Sequence, residues 1–299
     1  MRISRHACLT LIIAGVALLW LPAHAAVQQI DARGKVLTLS KPATRIVSLA
    51  PHITELVFAV GAGDKLVGVS SYSDYPPAAK RIKVIGDGGK IDLERVVQLR
   101  PDLVIAWQSG NHIGDIAQLE RLGISVFVTE PRSLEDIPKL LRTFGQLIGN
   151  AEQAEQSAAA FEKIKHALAS RYSDAAPVSV FYEIWHQPLM TVNSDHMISD
   201  VISLCGGRNI FGAVHLLTPT VSMESVLAAD PQAIIASGAL YQDASAWQDW
   251  QRFKHLSAVK HHHLFLIHPD LIQRQTPRIL QGAELICQQL DQVRQASGK

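Results

Sequence analysis

The chain has 299 residues, with 28 Lys and Arg against 27 Asp and Glu, so its formal net charge at pH 7 is +1. Nucleic-acid-binding and membrane-surface proteins need a concentration of basic side chains, which this balance does not suggest. The length is sufficient for two core-forming lobes of ordinary size.

Residues 1–25 have the three parts of a cleavable export signal. Arg2 and Arg5 supply the positive start, and the apolar run at residues 8–21 is too short and wrongly flanked for a transmembrane helix. The Ala-His-Ala sequence at residues 23–25 fits the small-residue rule of signal peptidase. We therefore predict an exported mature protein that begins after residue 25 and is not inserted in a membrane.

In the first half of the mature chain, strand patterns alternate with helix patterns. Short runs of β-branched residues predict strands at residues 45–49, 66–69, 103–106 and 125–128. Apolar residues at helical spacing predict helices at residues 53–60, 93–99 and 116–122. This alternation is typical of a mainly parallel sheet with helices on both faces.

The most helix-prone stretch of the chain runs from residue 151 to residue 171. It contains no Gly or Pro and is rich in Ala, Glu, Gln and Lys. Its apolar residues share one face: Ala154, Ala158, Phe161, Ile164 and Leu168. At 1.5 Å per residue, this stretch predicts one uninterrupted, rigid helix roughly 30 Å long.

The second half of the chain repeats the scheme of the first. Strands are predicted at residues 178–182, 233–236 and 264–267. Helices are predicted at residues 197–204, 224–229, 247–254 and 276–292. One motif occurs in both halves with the same spacing, because Glu94, Pro101 and Ala106 are matched by Glu224, Pro231 and Ala236.

Two copies of one scheme predict an α/β protein with two similar lobes. We place the first lobe at residues 26–150, the connecting helix at residues 151–172 and the second lobe at residues 173–299. Two lobes joined in this way leave a cleft between them, which is a natural place for a ligand.

Two cysteines, Cys205 and Cys287, remain once residues 1–25 are removed. Each lies near the end of an apolar helical segment of an exported protein. A disulfide bond is therefore favoured over two separate buried thiols.

The chain lacks the short motifs of common enzymes, such as G-x-S-x-G, H-E-x-x-H or a glycine-rich phosphate loop. The histidine run at residues 261–263 should point alternately to opposite faces, so we interpret it as a surface loop rather than a metal site. We predict a binding protein without a catalytic residue, metal or cofactor. The alternative from another class is a secreted metal-dependent hydrolase that uses His186, His196 and Asp270.

Aromatic residues follow several predicted strands, at the edge where open α/β sheets bind ligands. Tyr72 and Trp107 follow strands of the first lobe, and Trp185 follows the first strand of the second lobe. Such side chains offer flat apolar surfaces with a polar tip. His52, after the first strand, is interpreted either as a turn cap or as a ligand contact.

Four segments together carry a family resemblance. They are residues 71–77 (Ser-Tyr-Ser-Asp-Tyr-Pro-Pro), 101–107 (Pro-Asp-Leu-Val-Ile-Ala-Trp), 205–211 (Cys-Gly-Gly-Arg-Asn-Ile-Phe) and the series Asp270, Arg274, Pro277 and Arg278. Over the whole mature chain, the sequence resembles the periplasmic vitamin B12 (cobalamin) binding proteins that deliver corrinoids to an ABC importer.

The resemblance implies a class III periplasmic binding protein, a monomer whose two lobes are joined by one long rigid helix. It implies that Tyr72 and Trp107 line the corrinoid cleft from the first lobe and that Asp270 and Arg274 reach it from the second. It also implies that the two cysteines are bonded. The corrinoid is then the transported ligand and not a cofactor.

Glu94 and Glu224 occupy equivalent places at the start of a helix in each lobe. Two such carboxylates suit a dimeric permease, which offers a basic residue on each subunit, as the resemblance also implies. The simpler alternative is that each Glu favours the positive end of its own helix.

Two positions depart from the family pattern. Where the well-studied member has tryptophans, this chain has Gly88 or Gly89 and Thr218. Trp185 is a candidate replacement surface. The alternative ligands within the superfamily are haem and ferric siderophores, and haem would require an iron ligand such as Tyr72 or His52.

Overall fold

The computed structural model describes residues 26–87, 90–238 and 247–297. The predicted signal sequence and the Gly88 and Gly89 positions lie outside the described residues. Within these ranges, no helix is both long enough and apolar enough to cross a membrane.

The first lobe is built on a four-stranded parallel sheet. Its strands are β3 (Ile46–Ser48), β4 (Leu66–Val69), β7 (Leu103–Trp107) and β8 (Val126–Thr129). Two antiparallel hairpins accompany this sheet, formed by β1 (Val27–Ile30) with β2 (Val36–Leu39) and by β5 (Gly86–Asp87) with β6 (Lys90–Ile91). The helices are α1 (Pro51–Ala59), α2 (Leu93–Gln98), α3 (Ile113–Arg121) and α4 (Asp136–Ile148).

The second lobe has a parallel sheet of the same size. Its strands are β9 (Val178–Glu183), β10 (Gly207–Asn209), β11 (Ala233–Ala236) and β12 (Leu264–Leu266). Its helices are α6 (Met197–Leu204), α7 (Met223–Ala229), α8 (Trp247–Gln251), α9 (Ser257–Lys260), α10 (Pro269–Ile272) and α11 (Ile279–Ser297).

The two sheets have the same topology. The strand order is β4-β3-β7-β8 in the first sheet and β10-β9-β11-β12 in the second. In each sheet, the strand that comes second along the chain pairs with one side of the first strand, and the third and fourth strands follow on the opposite side. Helices α2 and α7, which carry Glu94 and Glu224, each precede the third strand of their sheet. The repeated sequence motif therefore marks equivalent elements of two similarly wound sheets, and the predicted α/β architecture is confirmed.

Helix α5 (Ala151–Tyr172) connects the sheets without interruption. All strands of the first lobe precede it and all strands of the second lobe follow it, while the lobe boundaries at residues 150 and 172 stay a prediction. The main core cluster includes buried residues from both lobes and from this helix, such as Ala158 and Phe161. Because this core runs along α5, the helix is packed on both lobes and makes a rigid connector.

One residue of the predicted apolar face of α5 is not buried. Ile164 is 52% exposed, whereas the other four residues of that face are buried. Ala154 packs closely against Gly145 of α4, and the Tyr172 hydroxyl donates to Asp291 of α11. Ile164 lies between these two packed ends of the helix, where neither lobe covers it.

Helix α4 is absent from the sequence prediction. Pro138 interrupts its pattern near the start and Gly145 near the end, and both residues lower helix propensity. Pro138 is in the first turn, where its missing N–H breaks no intrahelical bond. Gly145 allows α5 to approach, because an added Cβ would lie 2.3 Å from the Cβ of Ala154.

Cys205 and Cys287 form a disulfide bond, which confirms the pairing implied by the resemblance. The bond joins the end of α6 to α11, with the two Cα atoms 4.7 Å apart, and both residues are fully buried. It therefore joins two helices that pack on the same side of the second sheet.

Reduction of this disulfide is expected to lower the melting temperature markedly. The bond closes a loop of 82 residues, for which the chain-entropy model gives at most about 4.5 kcal/mol of stabilisation. Calorimetry with and without reductant measures the change, and non-reducing mass spectrometry should find no free thiol in the mature protein. Alkylation of both cysteines without reductant would contradict the bond.

Candidate functional site

The loops after the strands of both lobes meet across a groove. Trp107 and Ser109, which end and follow β7, line one small pocket together with Pro131, after β8. The opposite wall consists of residues of the second lobe, among them His196 and Gln275. We refer to this groove between the carboxyl ends of the two sheets as the cleft.

Arg274 connects the lobes at the cleft. Its Nη1 atom donates to Glu55 Oε1 at 2.9 Å and to Asp74 Oδ1 at 2.8 Å, both in the first lobe. Its Nη2 atom donates to the backbone oxygen of Tyr72 at 3.2 Å and lies 2.9 Å from Asp270 Oδ1. The predicted residues Tyr72, Asp270 and Arg274 are therefore in direct contact.

Glu55 is the buried centre of this ion-pair network. It lies on α1, and its side chain is 3% exposed. Arg278 donates to both of its carboxylate oxygens, at 2.9 and 2.7 Å, and the Arg278 guanidinium stacks 3.8 Å from the centre of the Tyr75 ring. Two arginines of the second lobe thus neutralise one buried carboxylate of the first lobe, as a buried charge requires.

Asp74 differs from Glu55 in its exposure to water. Its side chain is 44% exposed. Partial burial would raise the pKa of Asp74, but the hydrogen bond and charge of Arg274 outweigh this effect and lower the pKa below its usual value. Asp74 is therefore ionised near neutral pH and bridges the two lobes as a charged side chain.

Glu55 was not predicted as a site residue, and Asp74 and Tyr75 were noted only as part of the segment at residues 71–77 that carries the family resemblance. Glu55 carries a detectable signal, because it is a charged residue on a short helix whose Ile53, Leu56 and Val57 are fully buried. A carboxylate among such neighbours needs a partner. Nothing in the local pattern could show that the partners lie more than 200 residues away.

His52 is a buried side chain beside Trp107, which lines the cleft. Its ring packs edge-on against Trp107, with the ring centres 5.1 Å apart, and its Nε2 atom has no hydrogen-bond partner. The His52 side chain does not cap the turn through any side-chain hydrogen bond at the start of α1. Of the two interpretations made from sequence, the ligand contact therefore stays open as a prediction.

Acid is expected to destabilise the fold through His52. Burial and then the charge of Arg274 lower the pKa of His52 from 6.5 to about 3. The unfolded chain binds this proton at a higher pH than the folded chain does. The free energy of unfolding should therefore be highest above pH 6.5 and should fall by about 1.4 kcal/mol per pH unit between pH 6.5 and pH 3. Urea unfolding of the wild type and His52→Leu at several pH values measures the difference. Parallel slopes would contradict the buried neutral state.

Tyr72 and Trp185 present aromatic surface to solvent. Tyr72 is 78% exposed and has a left-handed backbone, with φ of 64°. Such a conformation is strained for a bulky residue and persists when surrounding contacts hold it. Trp185 is 50% exposed, and its indole N–H donates to the Gln187 backbone oxygen at 2.9 Å. Their predicted contacts with a ligand, like that of Trp107, stay predictions.

The three residues of the hydrolase alternative have separate partners. His186 bonds Glu183 at 2.8 Å and Asp249 at 3.1 Å. The Nδ1 atom of His196 accepts from the Ile198 backbone N–H and caps α6, while Asp270 pairs with Arg274. These contacts explain each side chain without a common catalytic centre.

The histidine run at residues 261–263 follows α9. His261 and His262 are exposed, but His263 is buried and its Nδ1 atom lies 3.0 Å from the Gln232 backbone oxygen. The interpretation as a surface loop therefore needs correction for His263, because the chain turns inward there to enter β12. Thr218, where the family pattern has a tryptophan, is exposed.

Glu94 and Glu224 are both exposed and are held in matching helix starts. Asp92 caps α2 by accepting from the Arg95 N–H, and Ser222 caps α7 by accepting from the Ser225 N–H. Each Glu is the second residue of its helix. The helix caps are thus supplied by other side chains. Both glutamates are exposed, and the backbone N–H of Glu224 and the Ser222 hydroxyl lower the pKa of the Glu224 carboxyl.

Comparison with known proteins identifies the family. A family model described as periplasmic binding protein matches residues 46–271, which includes most of both lobes. This protein belongs to the periplasmic binding protein family. A vitamin B12-binding protein of Vibrio cholerae is 37% identical over 246 residues, which cover 82% of this chain and 88% of the relative.

Solved structures of this family share the fold. The periplasmic vitamin B12 binding protein BtuF of Vibrio cholerae superposes with a TM-score of 0.78 at 36% identity, covering 85% of this chain and 98% of that one. The periplasmic haem-binding protein RhuT from Roseiflexus reaches a TM-score of 0.74 at 24% identity, covering 84% and 99%. The second likeness is evidence for the fold alone. Membership of this family means that the protein is a substrate carrier and not an enzyme.

Proposed function

We propose that this protein captures cobalamin or a related corrinoid in the cleft and delivers it to an ABC importer. The identity to named vitamin B12-binding proteins supports the ligand class. In the structure, one observation carries the proposal: the Tyr72 backbone and the Asp270 and Arg274 side chains converge across the cleft from different lobes. Trp107 lies at the same edge of the first sheet.

This arrangement suits a large ligand that has both a flat ring and polar arms. Trp107, Tyr72 and Trp185 offer aromatic surface, while Arg274 and Asp270 offer a donor and an acceptor for amide groups. Binding requires no bond to be broken, so no catalytic residue is needed. The corrinoid is the transported ligand.

We further infer that the protein acts as a monomer in the periplasm after export by residues 1–25. Glu94 and Glu224 are our candidates for contacts with a permease dimer. The same topology in both lobes supports this assignment, because it places the two exposed carboxylates at equivalent positions of the two lobes.

Haem is the second candidate ligand, and one observation favours it. The Nε2 atom of His52 is buried without a hydrogen-bond partner, and a neutral imidazole is a common iron ligand. The hydroxyl of Tyr72 is the other possible ligand. If this protein binds haem, replacement of His52 or Tyr72 should therefore abolish or shift the absorption spectrum of the bound haem.

The visible spectrum after desalting tests the ligand class. We expect mature protein incubated with cyanocobalamin to retain one corrinoid per chain and to show quenched tryptophan fluorescence, because Trp107 and Trp185 lie near the ligand. Protein incubated with haem serves as the comparison, with His52→Leu and Tyr72→Phe as matched variants. Retention of haem in place of corrinoid, with a haem spectrum that changes in one of these variants, would overturn the corrinoid proposal in favour of haem.

A further inference from the structure

Both terminal hydrogens of Arg274 Nη1 are taken up in this structure. This nitrogen donates one hydrogen bond to Glu55 Oε1 and one to Asp74 Oδ1, at 2.9 and 2.8 Å. A ligand oxygen can accept a hydrogen bond from this nitrogen only if one of these two carboxylates leaves. The question is which partner the ligand replaces.

The two first-lobe carboxylates differ in what they would lose. Glu55 is 3% exposed, and both of its oxygens are bonded by arginines, so separation from Arg274 would weaken the pairing of a buried charge. Asp74 is 44% exposed and regains water when it leaves. Asp74 is thus the partner that costs least to remove.

We propose that Glu55 is a positioning residue that holds Arg274 in the cleft, whereas Asp74 is displaced from the same arginine nitrogen by an acceptor oxygen of the ligand. This inference rests on the proposed function, with the side-chain amides of the corrinoid as the acceptors. Asp74 and Arg274 belong to different lobes, but the pairs of Glu55 with Arg274 and Arg278 join the same lobes and remain when Asp74 leaves.

The proposal predicts opposite effects for two carboxylates that bond the same nitrogen. Asp74→Asn removes a charged competitor, so the dissociation constant for cyanocobalamin should fall about two- to fivefold, through faster association. Glu55→Gln releases Arg274, so the dissociation constant should rise about tenfold or more. A general loss of packing could not produce both signs. Calorimetry and stopped-flow fluorescence measure these changes.

Controls match each carboxylate in its surroundings. Glu162 is 43% exposed and pairs with Arg142, so Glu162→Gln matches Asp74→Asn. Asp31 is 1% exposed and pairs with Arg33 inside the first lobe, so Asp31→Asn matches Glu55→Gln. Both controls should leave corrinoid affinity unchanged.

A double-mutant cycle tests whether Glu55 acts through Arg274. In an Arg274→Gln background, the further change Glu55→Gln should cause little additional loss of affinity, because the residue that it positions is gone. Additive losses would overturn the positioning role. If Glu55→Gln fails to fold, the sign of the Asp74→Asn effect still decides, because weaker binding by this variant would overturn the proposal.

A measurement without ligand separates this inference from the proposed function. Spin labels at two exposed positions, Val97 in the first lobe and Leu216 in the second, report the distance between the lobes. We expect Glu55→Gln to broaden the distance distribution more than Asp74→Asn, because Asp74→Asn leaves the pairs of Glu55 with Arg274 and Arg278 in place. Glu162→Gln should leave the distribution unchanged. A larger effect of Asp74→Asn than of Glu55→Gln would overturn this assignment, whereas absence of corrinoid binding by the wild type would overturn the function instead.

Discussion

Replacement of Glu94 and Glu224 by alanine is expected to abolish ligand-stimulated ATP hydrolysis by the reconstituted importer while corrinoid affinity stays nearly unchanged. Both side chains are exposed, and neither supplies the cap of its helix. Loss of the favourable charge near the helix start should cost little stability, because both side chains are exposed. Loss of two docking charges should slow association with the permease and weaken the complex.

The helix caps provide the matched control for this experiment. Asp92→Ala with Ser222→Ala removes both capping side chains and costs about 0.5 to 2 kcal/mol at each helix, but it keeps both glutamates. This variant should be less stable and should still stimulate ATP hydrolysis. Normal stimulation of ATP hydrolysis by the glutamate double mutant would exclude the docking role. Each Glu would then serve only to favour the positive end of its own helix.

Trp107→Ala is expected to weaken corrinoid binding by roughly 30-fold or more, because buried aromatic anchors at binding sites commonly contribute 2 kcal/mol or more. The residue ends β7, and its backbone N–H donates to Asn111 Oδ1 at 2.7 Å. Its ring packs on His52 at 5.1 Å. These contacts fix the ring before the ligand arrives, so little ordering is needed on binding.

Trp107→Phe is the conservative comparison. It keeps an aromatic face on the same strand end and should retain most of the affinity, while the fluorescence quenching that Trp107 contributes should disappear. Titration of tryptophan fluorescence and calorimetry on the same samples measure both effects. An unchanged dissociation constant in Trp107→Ala would show that this side chain does not contribute to corrinoid binding.

The sequence by itself determined the local elements and their repetition. The strands Leu66–Val69 and Ala233–Ala236 and the helix Met197–Leu204 have the bounds that their patterns predict. A strand buried on both faces appears in the sequence as a short apolar run, and an amphipathic helix appears as apolar residues at helical spacing. Both patterns can be recognised without knowledge of the neighbouring elements. The matched motifs around Glu94 and Glu224 likewise predict equivalent helices.

Elements whose pattern is interrupted were not predictable in this way. In α4, Pro138 and Gly145 lower local helix propensity, and the packing of α4 on α5 outweighs this. Strand β10 is three residues long and exists through its pairing with β9. In both cases the stabilising contacts come from another element, so the pattern within the segment itself does not contain them.

Only the tertiary structure decided how the cleft residues are paired. Arg274 and Glu55 are separated by 219 residues along the chain, and Arg274 and Asp74 by 200. No local pattern in the sequence predicts such a pair, because the contact depends on how the two lobes pack along α5. The sequence therefore supplied Tyr72, Trp107, Asp270 and Arg274 as candidates, whereas the fold showed that a buried Glu55 and an exposed Asp74 bond the same arginine nitrogen across the cleft.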